Sequence, residues 1–82
     1  MFESVFTVAQ PPPEISPVER TVLRALVEAI RLHGNPSMME IAELAGFSHA
    51  STAWLHLRRL QAKGFVAITP GRARGIRLLR EE

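Results

Sequence analysis

Three amphipathic segments followed by two short β-rich runs predict an α+β domain that is mainly helical, with three helices closed by a C-terminal two-stranded β-hairpin. Two observations carry that expectation. Capping signatures recur as "SPVE" at residues 16–19 and "SMME" at residues 37–40, each setting a serine three positions before a glutamate. Glycine then punctuates the chain at Gly34, Gly46 and Gly64, at the ends of the three apolar-periodic stretches.

Ser16 opens the first helix, with Pro17 at the first helical position and Glu19 completing the capping box. Val18, Val22, Leu23, Leu26, Val27 and Ile30 recur at helical spacing and form one apolar face, and "GNP" breaks the helix at Gly34. Ser37 and Glu40 start a short second helix that buries Ile41, Leu44 and Ala45. Gly46 then takes the left-handed conformation a tight turn needs, and Phe47 anchors the turn. The third helix begins between Ser48 and Ser51, turns Ala53, Leu57 and Leu60 inward, and runs to Lys63 before Gly64 ends it. "FVAIT" (65–69) and "IRLLR" (76–80) read as strands, and the loop "PGRARG" (70–75) between them starts with a Pro-Gly turn. Short helix, glycine turn, longer helix and hairpin make a three-helix winged helix-turn-helix, the hairpin being the wing.

That domain occupies residues 16–82. Residues 1–15 include Pro11, Pro12 and Pro13 and read as an extended, Pro-rich N-terminal arm. Phe2, Val5, Phe6 and Val8 give the arm an apolar content suited to docking on the domain or on a second subunit; a frayed terminus is the alternative.

Eighty-two residues make one small domain with a modest core, and an apolar fraction of 46% excludes wholesale disorder. The absence of cysteine excludes a disulfide framework and cysteine-based zinc or iron–sulfur sites. Catalysis finds no support: there is no aspartate, Gly-rich phosphate loop, nucleophile elbow or carboxylate pair. His33, His49 and His56 read as surface or groove-facing imidazoles, so neither a metal, nor a cofactor, nor a small-molecule substrate is expected. The N-terminus lacks a basic n-region and no apolar run approaches a membrane span, which reads as a cytoplasmic chain.

The net charge of +2 conceals a sharp asymmetry. Residues 1–43 hold six acids against three bases, whereas residues 44–80 hold seven bases and no acid. Six of those seven are arginines, whose planar forks suit phosphates and guanine edges. A one-sided field of this kind points to a polyanionic partner. Arg72 and Arg74 sit in the wing loop, and their mutual repulsion is tolerable where phosphates neutralise it. Arg77 and Arg80 are expected to point outward from the returning strand. Arg58 and Arg59 on the third helix are either a solvated face or phosphate contacts.

The stretches "EIAELAGF" (40–47), "HLRRLQAKGFVAI" (56–68) and above all "GRARGIRLLREE" (71–82) resemble the N-terminal DNA-binding domain of LexA-type repressors. The similarity runs over residues 16–82. It implies a winged helix-turn-helix that binds operator half-sites in double-stranded DNA, usually as a homodimer, and represses transcription. Longer members carry a C-terminal domain with a self-cleaving Ser/Lys dyad. The only lysine here, Lys63, falls in the third helix, so self-cleavage is not carried over. The chain is then either an excised domain or a small protein that gains its second half-site through the arm.

The recognition stretch "HASTAWLHL" departs from the family. Ser48, His49, Ser51 and Thr52 keep a polar character suited to base or phosphate contacts. Trp54 and Leu55 stand where the resemblance implies acids. Burial, or packing at a subunit interface, is the commoner fate of a tryptophan. Contact with thymine methyls or sugars is the functional alternative. Leu55, on an exposed groove face, suits a thymine methyl or a protein partner. Ser37 caps its helix and is expected near the DNA backbone as well. A competing expectation is a protein-interaction module that binds a repressor, polymerase or other host factor through Trp54, Leu55 and the arm. It would be favoured if those groups form one exposed patch.

Overall fold

A computed structural model describes residues 15–72 and 74–81. Three helices, α1 (Pro17–His33), α2 (Met38–Ala45) and α3 (Ala50–Ala62), lead into strands β1 (Val66–Ile68) and β2 (Ile76–Leu78). The strands pair antiparallel, with Val66 opposite Leu78, Ala67 opposite Arg77 and Ile68 opposite Ile76. The expected order of elements is therefore present, with both strands shorter than the runs that suggested them. Of the arm only Ile15 is described, and it is buried in the core; Phe2, Val5 and Phe6 lie outside the described residues.

Local chemistry sets the helix ends. Ser16 and Ser37 each accept a hydrogen bond from the glutamate three residues on, and each glutamate accepts one from the serine N–H in return. Both capping boxes are thus closed, satisfying donors that would otherwise be orphaned. The far ends of α2 and α3 use a shared device. Gly46 (φ 85°) and Gly64 (φ 86°) take the left-handed conformation, and the phenylalanine after each donates its N–H back five residues, Phe47 to Ala42 at 2.9 Å and Phe65 to Leu60 at 3.0 Å. These are 6→1 closures followed by an apolar residue that turns inward. "AGF" and "KGF" are one signal written twice.

The core lies where the three helices meet the inner face of the hairpin. Leu26, Ile41, Leu57, Leu60, Val22 and Val66 are fully buried, each contributing about 2 kcal/mol by removal from water. Ile68 and Leu78 pack on this cluster from the same side of the hairpin as Val66 and Ile76, as period-2 alternation requires. Two expected core positions face solvent instead. Val18 is 40% and Leu44 43% exposed. Val18 falls in the first turn of α1, where Glu19 takes the inward position instead. In α2 the inward positions are Ile41 and Ala42, which leaves Leu44 turned outward.

One charge is buried in this frame. Glu19 is 3% exposed and accepts a hydrogen bond from Lys63 Nζ at 2.6 Å, fastening α1 to the end of α3. Burial alone would raise the Glu19 pKa. The Lys63 hydrogen bond, the Ser16 N–H and the charges of Lys63 and Arg59 outweigh it, so the carboxyl titrates below its ordinary value. Lys63, read from sequence only as a member of the basic stretch, is a structural residue. Glu19→Ala removes its partner and the acceptor for the Ser16 N–H together. Urea denaturation should show a loss of about 2–3 kcal/mol, against about 0.5 kcal/mol or less for the exposed Glu43→Ala.

Candidate nucleic-acid interface

The outward face of α3 follows from its inward one. Ala53, Leu57 and Leu60 are buried, so the opposite side of the helix carries Ser51, Leu55 and Arg58, all exposed. Trp54 stands at the flank of that face nearest the hairpin, where Trp54, Arg58 and Gln61 line a shallow cleft with Ile68 and Pro70. Trp54 is 38% exposed and Leu55 50%, so the tryptophan is a surface residue and not part of the core. The Arg58 guanidinium lies over the indole, 5.6 Å from the ring centroid, which fixes both side chains at the mouth of the cleft. Gln61 belongs to this surface and had no signal in the sequence beyond its helical spacing from Trp54 and Arg58.

At the start of α3, Ser48, His49 and Ser51 are exposed and Thr52 is half-buried. His49 occupies the N-cap position without a side-chain capping bond, and the first turn holds no acid. The backbone donors at this end and the hydroxyls beside them remain suited to anionic oxygen. His56 departs from expectation. It is half-buried against Phe47, with ring centroids 5.9 Å apart, and its Nδ1 is buried with no hydrogen-bond partner. His33 stands beside Glu40, its Nδ1 3.8 Å from a carboxylate oxygen.

The wing arginines divide. Arg72 is exposed and makes no hydrogen bond or ion pair among the described residues. Arg74, expected to have little structural work, is held within the molecule. Its guanidinium donates to Glu40 Oε1 at 2.9 Å, to Glu40 Oε2 at 3.3 Å and to the Asn35 carbonyl at 2.7 Å, yet its side chain stays 51% exposed. The loop is drawn tight beneath it. The Thr69 N–H donates to the Gly75 carbonyl at 2.8 Å, and a side chain at Gly75 would bring a Cβ within 3.0 Å of the Thr69 carbonyl. Arg77 is exposed on the outer face of the hairpin, opposite Ala67, and is not among the residues lining the cleft. Arg80 does not continue the strand outward. β2 ends at Leu78, and the Arg80 guanidinium stacks 4.5 Å from the centroid of the Phe65 ring. Ser37 spends its hydroxyl on the Glu40 N–H at 3.2 Å.

Thus Ser51, Trp54, Leu55 and Arg58 share one surface with the foot of the hairpin. Arg59 is also exposed on α3, and its positive charge bears on Glu19. Trp54 and Leu55 are exposed neighbours, the half of the interaction-module criterion that lies within the described residues.

A description of the LexA DNA binding domain matches residues 13–75. The LexA repressor of Shewanella frigidimarina is 51% identical over 47 residues, covering 57% of this chain and 23% of that protein. LexA repressor 2 of Pseudomonas putida is 38% identical over 65 residues, 78% of this chain and 32% of its own length. The LexA repressor of Tolumonas auensis is 37% identical over 70 residues, or 84% of this chain and 34% of its own. The chain spans about a quarter to a third of the curated relatives it matches.

Glu40 supports a direct test of the wing geometry. The Arg74 hydrogen bonds, with the Ser37 N–H behind them, hold its pKa down to about 2 from an ordinary 4.5. A carboxyl depressed on folding stabilises above its unfolded value and loses that contribution as pH falls through its folded value. The stabilisation from the Arg74 attachment should therefore be full above pH 4.5, decline below it and be lost as pH falls through about 2. A carbon-detected NMR titration should find the Glu40 midpoint near 2, and Arg74→Ala should move it up toward 4.5. A wild-type midpoint already at 4.5 would mean that the attachment does not form in solution.

Proposed function

The chain belongs to the LexA DNA binding domain family, and on that premise we propose that it is a sequence-specific, double-stranded DNA-binding transcriptional repressor. The third helix enters the major groove and the wing lies on the flanking backbone. One observation carries this reading. The outward face of α3 and the adjoining wing present Arg58 and Arg72 with no carboxylate partner among the described residues. A surface of that sign and shape suits phosphates on either side of a groove.

Residue roles follow from position. Ser48, His49, Ser51 and Thr52 face base edges and the nearest phosphates at the start of α3. Arg58 and Arg59 meet the backbone or guanine edges, as bidentate forks can. Arg72 contacts flanking phosphate, with the exposed portion of Arg74 beside it and Arg77 further out. Ser37, committed to its cap, contributes through its place at the N-terminus of α2. The match to the DNA-binding region of a repressor points to a non-catalytic regulator. Among the described residues no helix is long and apolar enough to cross a membrane.

A homodimer on a palindromic operator, joined through the arm, completes the reading. A protein partner is the second reading, and the exposure of Trp54 and Leu55 is the observation that favours it.

Selection from a random duplex library, followed by affinity against salt, tests the proposal. Enrichment of one sequence with a steep salt slope supports it, and a palindrome adds the dimer. Arg72→Ala should weaken binding about equally for all sequences and lower the log–log salt slope by about 0.9, one phosphate's worth. Its melting temperature should stay unchanged, whereas Arg74→Ala should lower melting temperature and affinity together. Absence of binding at low salt would overturn the DNA reading in favour of the protein partner.

A further inference from the structure

We propose that Leu55 reads the 5-methyl group of a thymine in the half-site, with Trp54 extending that apolar contact toward the wing. The inference rests on the DNA-binding reading above and specifies which base the centre of the helix recognises.

Position comes first. Successive residues of an α-helix are turned by about 100°. The direction opposite Ala53, Leu57 and Leu60 falls between Ser51, Arg58, Ala62 and Leu55. Ala62 is the last residue of the helix and Ser51 lies in its first turn. Leu55 is therefore the large apolar side chain at mid-helix on the outermost line, and half its surface is open. A group presented on that line of a recognition helix faces the floor of the groove.

Chemistry then selects the partner. Base edges in the major groove offer hydrogen-bond donors, acceptors and a single apolar group, the thymine methyl. A leucine set against any other edge would strip water from a polar atom and return nothing. Set against the methyl, it removes two apolar surfaces from water at once. The complementary argument concerns cytosine, whose exocyclic amine is a donor best met by a carboxylate. Residues 44–80 contain no carboxylate, so α3 and the wing offer that amine only weaker hydroxyl, imidazole and amide acceptors, and Leu55 offers none.

Trp54 continues the same surface. One ring face carries Arg58 and the ring borders the cleft with Ile68 and Pro70. Leu55 on the outermost line and Trp54 at the cleft are thus two apolar groups one helical step apart, with the Arg58 guanidinium over the indole. The guanidinium over the indole places a cation where the phosphate beside such a base would lie.

The test uses the full chain and the duplex it selects from a random library. Each thymidine of that duplex is replaced in turn by 2′-deoxyuridine, which deletes the methyl and keeps every hydrogen-bonding atom. At one or two positions affinity should fall about fourfold, the worth of one buried methyl. Leu55→Ala should bind the thymidine and deoxyuridine duplexes equally, because the contact is already gone, with its circular dichroism and melting unchanged. Tight, selective binding that ignores every such replacement overturns this inference and leaves the DNA reading intact. So does a deoxyuridine penalty that persists undiminished in Leu55→Ala. Failure to bind any duplex overturns both.

Discussion

The geometry of the whole surface depends on the carboxylate of Glu40. It closes the capping box of α2 by accepting the Ser37 N–H at 2.8 Å, and it receives the Arg74 guanidinium from the wing at 2.9 Å. One oxygen, Oε1, serves both. A seven-residue connection with two glycines has many conformations, and a two-stranded hairpin of three residues a side has little stiffness of its own. The tie from Arg74 to the start of α2 removes much of that freedom. It sets the wing against the helix pair on which any docking geometry depends. The Asn35 carbonyl, accepting from the same guanidinium, adds a second point of attachment on the α1–α2 connection. Two fixed points define an orientation better than one charge pair in solvent, whose net worth is small.

The acids of the N-terminal half therefore do more than balance the arginines. Glu19 neutralises Lys63 inside the frame and Glu40 engages Arg74 at its edge, while Glu28 pairs with Arg31 along the far face of α1. Each pairing keeps a negative group away from the outward side of α3. What remains there is cationic and apolar. Segregation of this kind raises the local potential without raising the net charge, which keeps the chain at +2 overall. A surface built this way favours a partner that is itself both charged and locally apolar, and a DNA groove lined by thymine methyls meets both conditions.

The sequence was most legible where structure is local. Capping boxes, glycine stops and helical periodicity act over three to five residues, and they located all three helices and the turn between α2 and α3. Strand lengths were overread because Phe65 and Thr69 carry β propensity just outside β1, and Leu79 and Arg80 continue the alternating run just past β2. The Glu40–Arg74 tie spans 34 residues and was invisible for a specific reason. Glu40 already had a complete local explanation as a capping residue, so nothing in the pattern asked for a second partner. Lys63 was hidden in the same way, by the basic stretch that surrounds it. Trp54 shows the opposite failure. Its size suggested burial, but Ala53 occupies the inward position beside it and leaves the indole no room in the core.

The division of labour along α3 explains how its outward face can vary while the fold persists. Ala53, Leu57 and Leu60 face inward, Gly64 and Phe65 close the end, and Lys63 ties the helix to α1. None of these groups lies on the face that carries Ser51, Leu55 and Arg58. A tryptophan or leucine on that face costs the frame little, since neither side chain is required to fill the core. The same side chains change what a groove must offer in return. Stability is thus carried by one side of the helix, and under the proposed DNA-binding reading recognition falls to the other, where Leu55 stands with Trp54 at its flank.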